Sequence, residues 1–282
     1  MASNILGKIS KERTISAVII VIAALASILP GGIILGAVLY VISIIGFLEL
    51  TKACKVRESH KPNALEIVGV VAVTCYYLTL YFIQDILYSV MIILLTMIAM
   101  MFVYVFCFPK YHATQVMNAY FALIYAPIML SFVFLTRQLE NGIYLVWMIF
   151  ISSWISDTFA YLTGVMIGRH KLAPVLSPKK SIEGSVGGIV GAALFGALFG
   201  AYMNNTLGET QYVIILAVVG GVGSVISQVG DLAASAIKRN HEIKDYGKLI
   251  PGHGGIMDRF DSVIFTAPIT YFLILILMYG HG

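Results

Sequence analysis

An all-α, polytopic membrane fold is predicted by three features of this 282-residue sequence. Hydrophobic residues make up 59% of it and charged residues 11%, against roughly 25% charged in an average soluble domain, and mean hydropathy is +0.92. Apolar runs of about 18 residues or more recur, the length that crosses a hydrocarbon core about 30 Å thick at about 1.5 Å per residue. The basic residues collect in alternate breaks between those runs. A water-soluble fold has no way to hide so much apolar surface.

Taken between polar breaks, nine spans are expected at about 14–29, 33–50, 64–82, 86–108, 115–136, 143–167, 185–203, 211–229 and 262–279. The first lacks a small-residue cleavage site and is followed by many more, so it reads as a retained span and not as a signal peptide. Short breaks at Pro30-Gly31-Gly32 and Gln84-Asp85 make the first two pairs tight helical hairpins. A turn at Gly184 to Gly188 leads into a Gly/Ala-rich span, Gly187 to Gly200, whose small residues permit close helix packing.

Orientation follows from where the cations fall. With the N-terminus in the cytoplasm, the inside segments hold Lys8, Lys11 and Arg13, then Lys52, Lys55, Arg57 and Lys61, then Lys110. They go on to hold Arg169, Lys171, Lys179 and Lys180, and finally Lys238, Arg239, Lys244, Lys248 and Arg259. That is seventeen of eighteen Lys and Arg residues inside, with Arg137 alone outside, so a cytoplasmic N-terminus and an outside C-terminus are expected. The net charge of +4, so placed, suits anionic lipid head groups or anionic nucleotides.

Polar content is lopsided. Residues 1–142 form an N-terminal membrane domain of five spans poor in polar groups, and residues 143–282 hold four spans and the two largest inside loops, 168–184 and 230–261. The three cysteines, Cys54, Cys75 and Cys107, have no metal-ligand spacing and read as apolar filler.

The residues able to carry chemistry lie in that second half. Asp157 sits well inside span six, where insertion of a carboxylate costs about 2.5–3.5 kcal/mol. It is either a packing acid satisfied by Ser153, Ser156 or Thr158, or a functional acid facing a polar cavity. Ser177-Pro178-Lys179-Lys180-Ser181 sets two cations and two hydroxyls beside a helix start, a phosphate-binding arrangement, though two lysines also serve as membrane-surface anchors. Glu183 fits a first-turn acid complementing the helix dipole. Asp231 closes span eight, and Asp258 and Asp261, three apart where span nine begins, share a helix face. Either Arg259 neutralises one of that pair or a divalent ion lies between carboxylates, as Mg2+ does with phosphates completing its shell. His253-Gly254-Gly255 allows close backbone approach beside an imidazole, and Lys238, Arg239, Lys244 and Asp245 supply point charges. Together they point to phosphoryl or nucleotidyl chemistry on a membrane-embedded substrate.

The pattern Ser235-x-Ile237-Lys238-Arg239, four residues, Lys244-Asp245-x-Gly247, two residues, Ile250-Pro251-x-His253-Gly254-Gly255-Ile256-x-Asp258-Arg259-Phe260-Asp261 resembles the signature of the phosphatidate cytidylyltransferases, or CDP-diacylglycerol synthases. Ser156-Asp157-Thr158-x-Ala160-Tyr161-x-x-Gly164 and Ser177-Pro178-Lys179-Lys180-Ser181-x-Glu183-Gly184 are similar to a second region of that family. The resemblance spans about 155–262 and makes 143–282 the catalytic domain.

It implies CTP and phosphatidic acid as substrates, CDP-diacylglycerol and pyrophosphate as products, Mg2+ with or without K+ as cofactor, no nucleic acid, and a homodimer; the cation count puts the site on the cytoplasmic face, and the short N-terminal tail leads us to expect a bacterial inner membrane. It assigns metal binding to Asp231 and Asp258, with Asp261 and Asp157 as further ligands or support. Lys238, Arg239 and His253 join those acids in the catalytic set, His253 as an orienting group more than a base. Lys179, Lys180, Ser177, Glu183, Lys244, Asp245 and Arg259 make up the substrate-binding set. A CTP-dependent polyprenol kinase, which would release CDP, and a secondary transporter, suggested by Asp157 within the membrane, are the competing readings.

Overall fold

A computed structural model describes residues 18–57, 61–250 and 254–280. In chain order its helices are α1 (Val18–Ile28), α2 (Gly32–Ala53), α3 (Ala64–Ile83), α4 (Ile86–Phe106), α5 (Ala113–Gln138), α6 (Gly142–Ile167), α7 (Ile182–Leu207), α8 (Tyr212–Asn240) and α9 (Met257–Met278). Among the described residues, α2 to α9 are long and apolar enough to cross a membrane, and α1 is a shorter apolar helix. The chain is thus a multi-pass membrane protein of the predicted class. Residues 14–17 of the first expected span lie outside the described residues. Large apolar side chains face outward along the helices, as on α4, where Ile86 and Phe106 are about four-fifths exposed at 80% and 79%; only lipid makes that surface tolerable.

The helix ends follow from local sequence. Gly31 and Gly32, with φ of 65° and 48°, make the α1–α2 turn, and Gln84 at φ 55° makes the one before α4. Asn63 and Glu66 form a reciprocal capping box at the start of α3, and the Asp85 carboxylate accepts from the Leu87 amide at 2.8 Å to start α4. Widened π turns interrupt α5 at Ile124–Ile128, where Pro127 removes a donor, and α6 at Ile151–Ile155, two residues before Asp157.

Three expectations are corrected. The break 230–261 is not all loop: α8 continues to Asn240, because Ala233, Ala234, Ala236 and Ile237 are good or tolerable helix formers once the apolar run ends. Helix α9 begins at Met257, five residues ahead of the expected 262, so Asp258 and Asp261 are both helical. Residues Gly184 to Gly188 are not a turn either; they belong to α7, which starts at Ile182. The loop 168–184 carries an antiparallel hairpin, β1 (Lys171–Ala173) with β2 (Ser177–Ser181), pairing Lys171 with Ser181 and Ala173 with Ser177.

The chain packs as two compact units, Met1–Ser131 with Asn240–Arg259, and Phe132–Arg239 with Phe260–Gly282. In the first, α2 and α3 are tied by hydroxyl bonds, Ser43 to Tyr77 at 2.7 Å and Tyr40 to Thr74 at 3.0 Å, and the Phe47 ring fills the space left by Gly69. Buried Glu66 accepts the Thr51 hydroxyl at 2.7 Å and lies 3.5 Å from the Arg57 guanidinium. The second unit has an apolar core built on Leu145, Met148, Met203, Tyr212, Leu216, Val219 and Ile274. In it α7 presses its glycines against α6: a Cβ on Gly188 would come within 2.9 Å of the Ser156 carbonyl, and one on Gly184 within 2.6 Å of the Ala160 carbonyl. The small-residue packing expected of that span is what the structure contains.

Candidate active site

In the second unit the hairpin and three helices bring four polar side chains into one group, with a fifth at its margin. The Lys180 ammonium on β2 forms an ion pair with the Asp231 carboxylate on α8; the two side chains are 26% and 29% exposed. Asp157 on α6 lies within electrostatic reach of both Asp231 and Lys180. Asp261 on α9 lies within reach of Asp231, Asp157 and Lys238. Gly230 makes part of this possible, since its bare Cα lets the Asp261 carbonyl and the Phe265 side chain come within about 3 Å of where a Cβ would be.

Local structure explains why each side chain is where it is. The Ser181 hydroxyl caps α7 by accepting from the Gly184 amide at 3.2 Å. The Glu183 carboxylate accepts from the Arg169 amide at 3.0 Å, the His170 amide at 3.2 Å and His170 Nδ1 at 2.6 Å. Together with the Ile182 amide donating to the His170 carbonyl at 2.9 Å, these bonds close the base of the hairpin that carries Lys180. Glu183 therefore serves here as the clamp of the hairpin.

The packing-acid reading of Asp157 finds no support in its neighbours. Ser153 donates to the Ile149 carbonyl at 2.9 Å, Thr158 to the Trp154 carbonyl at 2.8 Å, and Ser156 shares a bond with Ser224 at 2.7 Å. All three hydroxyls are engaged elsewhere.

The first unit holds the other half of the motif residues. Asp258, buried in the first turn of α9, accepts the Tyr246 amide at 2.8 Å and the Gly255 amide at 3.0 Å, both on Oδ2. Gly254, at φ 83°, and the pairing of the Ile250 amide with the Gly254 carbonyl at 2.8 Å turn the segment back towards α9. Lys244, Asp245 and Arg259 are exposed, as are Lys179 on β2 and Arg239 near the end of α8; Ser177 and Lys238 are half-buried. His253 lies outside the described residues.

Two participants were missed from sequence. Glu49 on α2 accepts the Met257 amide at 2.9 Å and also the Ile256 amide. Gln228 on α8 bonds the Ser185 hydroxyl and, through Nε2, the Ser185 carbonyl at 3.2 Å, joining α7 to α8 one turn before Asp231. The signal for both was present: an acid and an amide inside otherwise apolar runs.

The hairpin thus sets Lys180 beside carboxylates of three helices, and comparison with known proteins bears on what this group serves. The model of the cytidylyltransferase family matches residues 11–277. The chain belongs to that family. It is similar to the phosphatidate cytidylyltransferase of Staphylococcus aureus strain COL, 32% identical over 267 residues, which covers 94% of this chain and 99% of that protein. Enzymes of the same name from Staphylococcus epidermidis and Staphylococcus saprophyticus are 31% and 30% identical, each with the same coverage. Family membership spans both units, including the five early helices for which the sequence motifs alone gave no purchase.

Proposed function

We infer that this cytidylyltransferase moves the cytidylyl group of CTP onto phosphatidic acid, giving CDP-diacylglycerol and pyrophosphate. One observation carries the reading within the structure: the Lys180–Asp231 pair, flanked by Asp157, Asp261 and Lys238, on a chain whose family transfers cytidylyl groups. Neither an ion-coupled transporter nor a polyprenol kinase is favoured by these findings.

In the reaction a phosphatidate phosphate oxygen attacks the α-phosphorus of CTP, a P–O bond forms, the bond to the β-phosphate oxygen breaks, and pyrophosphate leaves with that electron pair. Little covalent chemistry falls to the protein, so positioning and charge neutralisation carry the rate. A phosphate monoester is already largely ionised near neutral pH, and no general base is required. Lys180 and Lys238, half-buried beside the acids, would hold phosphate oxygens, and exposed Lys179 and Arg239 would meet phosphates approaching from water. Gln228 and Glu183 orient the elements that bear Asp231 and Lys180.

The donor set fits Mg2+. Counted as ionised, three carboxylates (Asp157, Asp231, Asp261) against two ammonium groups (Lys180, Lys238) leave one negative charge, and all the donors are hard oxygens. No group of three or more His, Cys, Asp or Glu side chains among the described residues is placed to cage an ion. Mg2+ does not need one, since it is commonly held by one or two carboxylates plus substrate phosphates. Asp231, aided by Asp157 or Asp261, would hold it, and bound there it would neutralise charge on the triphosphate and the leaving pyrophosphate. Asp258, which the resemblance also assigned to the metal, is the acceptor for two amides in its own unit. K+ as a second cation, a homodimer, an inner-membrane location and a cytoplasmic site complete the proposal, the last supported by the distribution of Lys and Arg.

The test is to incubate purified protein with labelled CTP, phosphatidic acid and Mg2+ and to identify the products. Labelled CDP-diacylglycerol and pyrophosphate are expected. Release of CDP with a phosphorylated lipid would instead identify a kinase, and a requirement for K+ is read from the same assay with Na+ in its place.

A further inference from the structure

We propose that Glu49 is a positioning residue for cytidylyl transfer, which holds the segment ahead of α9 in the conformation that presents Asp258; the proposal rests on the activity inferred above. Glu49 lies four residues before the end of α2, in the apolar stretch Gly46-Phe47-Leu48-Glu49-Leu50, where an acid without a partner would be costly. Its partners are the amides of Ile256 and Met257, at the N-terminus of α9. A carboxylate there also meets the positive end of the helix dipole.

The fit extends beyond those two bonds. A Cβ on Gly247 or on Gly255 would collide with the Glu49 carboxylate, so both glycines bring backbone directly onto it. The Gly255 amide in turn donates to Asp258 at 3.0 Å, and the Tyr246 amide, next to Gly247, donates to the same Asp258 oxygen at 2.8 Å. Glu49 and Asp258 therefore grip the same two stretches of backbone, 246–247 and 255–257. With Glu49 neutral or displaced, those stretches are free to shift and Asp258 loses its orientation. Glu49 acts through Asp258 and not on substrate.

A helix cap with no part in the reaction would affect folding alone, and the test separates the two. Wild type, E49Q and E66Q are purified in detergent, and kcat, the KM for phosphatidate and thermal unfolding are measured with CTP and Mg2+. Glu66 is the control, a buried acid that caps α3 and accepts from Thr51. E49Q is expected to lower kcat about 10–100-fold in protein that remains folded, with KM for phosphatidate within about twofold. E66Q is expected to lower the unfolding temperature and leave kcat per folded molecule unchanged. Should E49Q not fold, G255A carries the test, since its methyl group pushes Glu49 aside without removing the charge, and the same fall in kcat is expected. Wild-type kcat in folded E49Q, or in folded G255A, overturns the proposal while leaving the activity standing. A wild type that forms no CDP-diacylglycerol overturns the activity and the proposal together.

Discussion

The Lys180 ammonium group is shut off from solvent and paired with the Asp231 carboxylate, although one stands on a short β-hairpin and the other on a transmembrane helix. The pair joins the hairpin to α8 within the second unit. Asp157 is a second carboxylate within electrostatic reach of the same ammonium.

Either half of that pair is expected to be indispensable. D231N and K180M should each lower kcat/KM at least about 100-fold, the order of effect seen when a group that stabilises developing charge is removed. D231N leaves a shielded ammonium without its ion-pair partner, so its loss of thermal stability is expected to be relieved in the D231N/K180M double variant. Additive stability losses in a double-mutant cycle would show that the pair contributes nothing to the fold.

Asp258 makes a separate prediction. Its Oδ2 accepts two amides, which the one oxygen of an Asn side chain can still do, so D258N removes the negative charge while leaving an acceptor for those bonds. D258N is therefore expected to abolish Mg2+-dependent pyrophosphate release in detergent or liposomes. Near-wild-type turnover would remove Asp258 from both metal binding and the reaction.

The α6–α7 seam depends on glycine. A leucine at Gly188 would force α7 away from Ser156 and Ala160, and G188L is expected to cost about 1–3 kcal/mol or more in stability. Because Ser156 also bonds Ser224 at 2.7 Å, the separation should pull on α8 and reduce activity as well. Thermal unfolding and turnover of G188L, measured side by side, check both statements.

Topology can be read by labelling. In a Cys-free background, a cysteine at Glu209, in the α7–α8 turn, is expected to react with a membrane-impermeant maleimide added to intact cells. One at Lys248 should react only after permeabilisation. The reverse pattern would invert the assigned orientation and place the candidate site outside.

Among the native cysteines, Cys54 is buried. Burial pushes the Cys54 thiol up to about 11, so it stays protonated at neutral pH. Its folded pKa stands above that of the unfolded chain, so ionisation favours unfolding as pH rises from the ordinary thiol value towards 11. Maleimide labelling of Cys54 is expected to be negligible at pH 7.5 and to grow only with alkali or denaturant.

Membrane class, the number and approximate limits of the spans, and the chemistry of the polar residues were legible in the sequence, because lipid imposes a length and a composition on any helix that crosses it. The acids Asp157, Asp231, Asp258 and Asp261 stood out for the same reason: a carboxylate in or beside an apolar run needs a partner. Which partner was not legible. That Lys180 rather than Lys179 meets Asp231 depends on the register of a hairpin that no hydropathy pattern announces, since alternate residues of a strand point to opposite faces. That α8 runs on to Asn240 depends on helix propensity persisting after hydrophobicity has ended. Glu49 was passed over because its partners are backbone amides more than two hundred residues away in the chain, at Ile256 and Met257. Backbone donors leave no trace in a sequence; only the folded chain determines where they point.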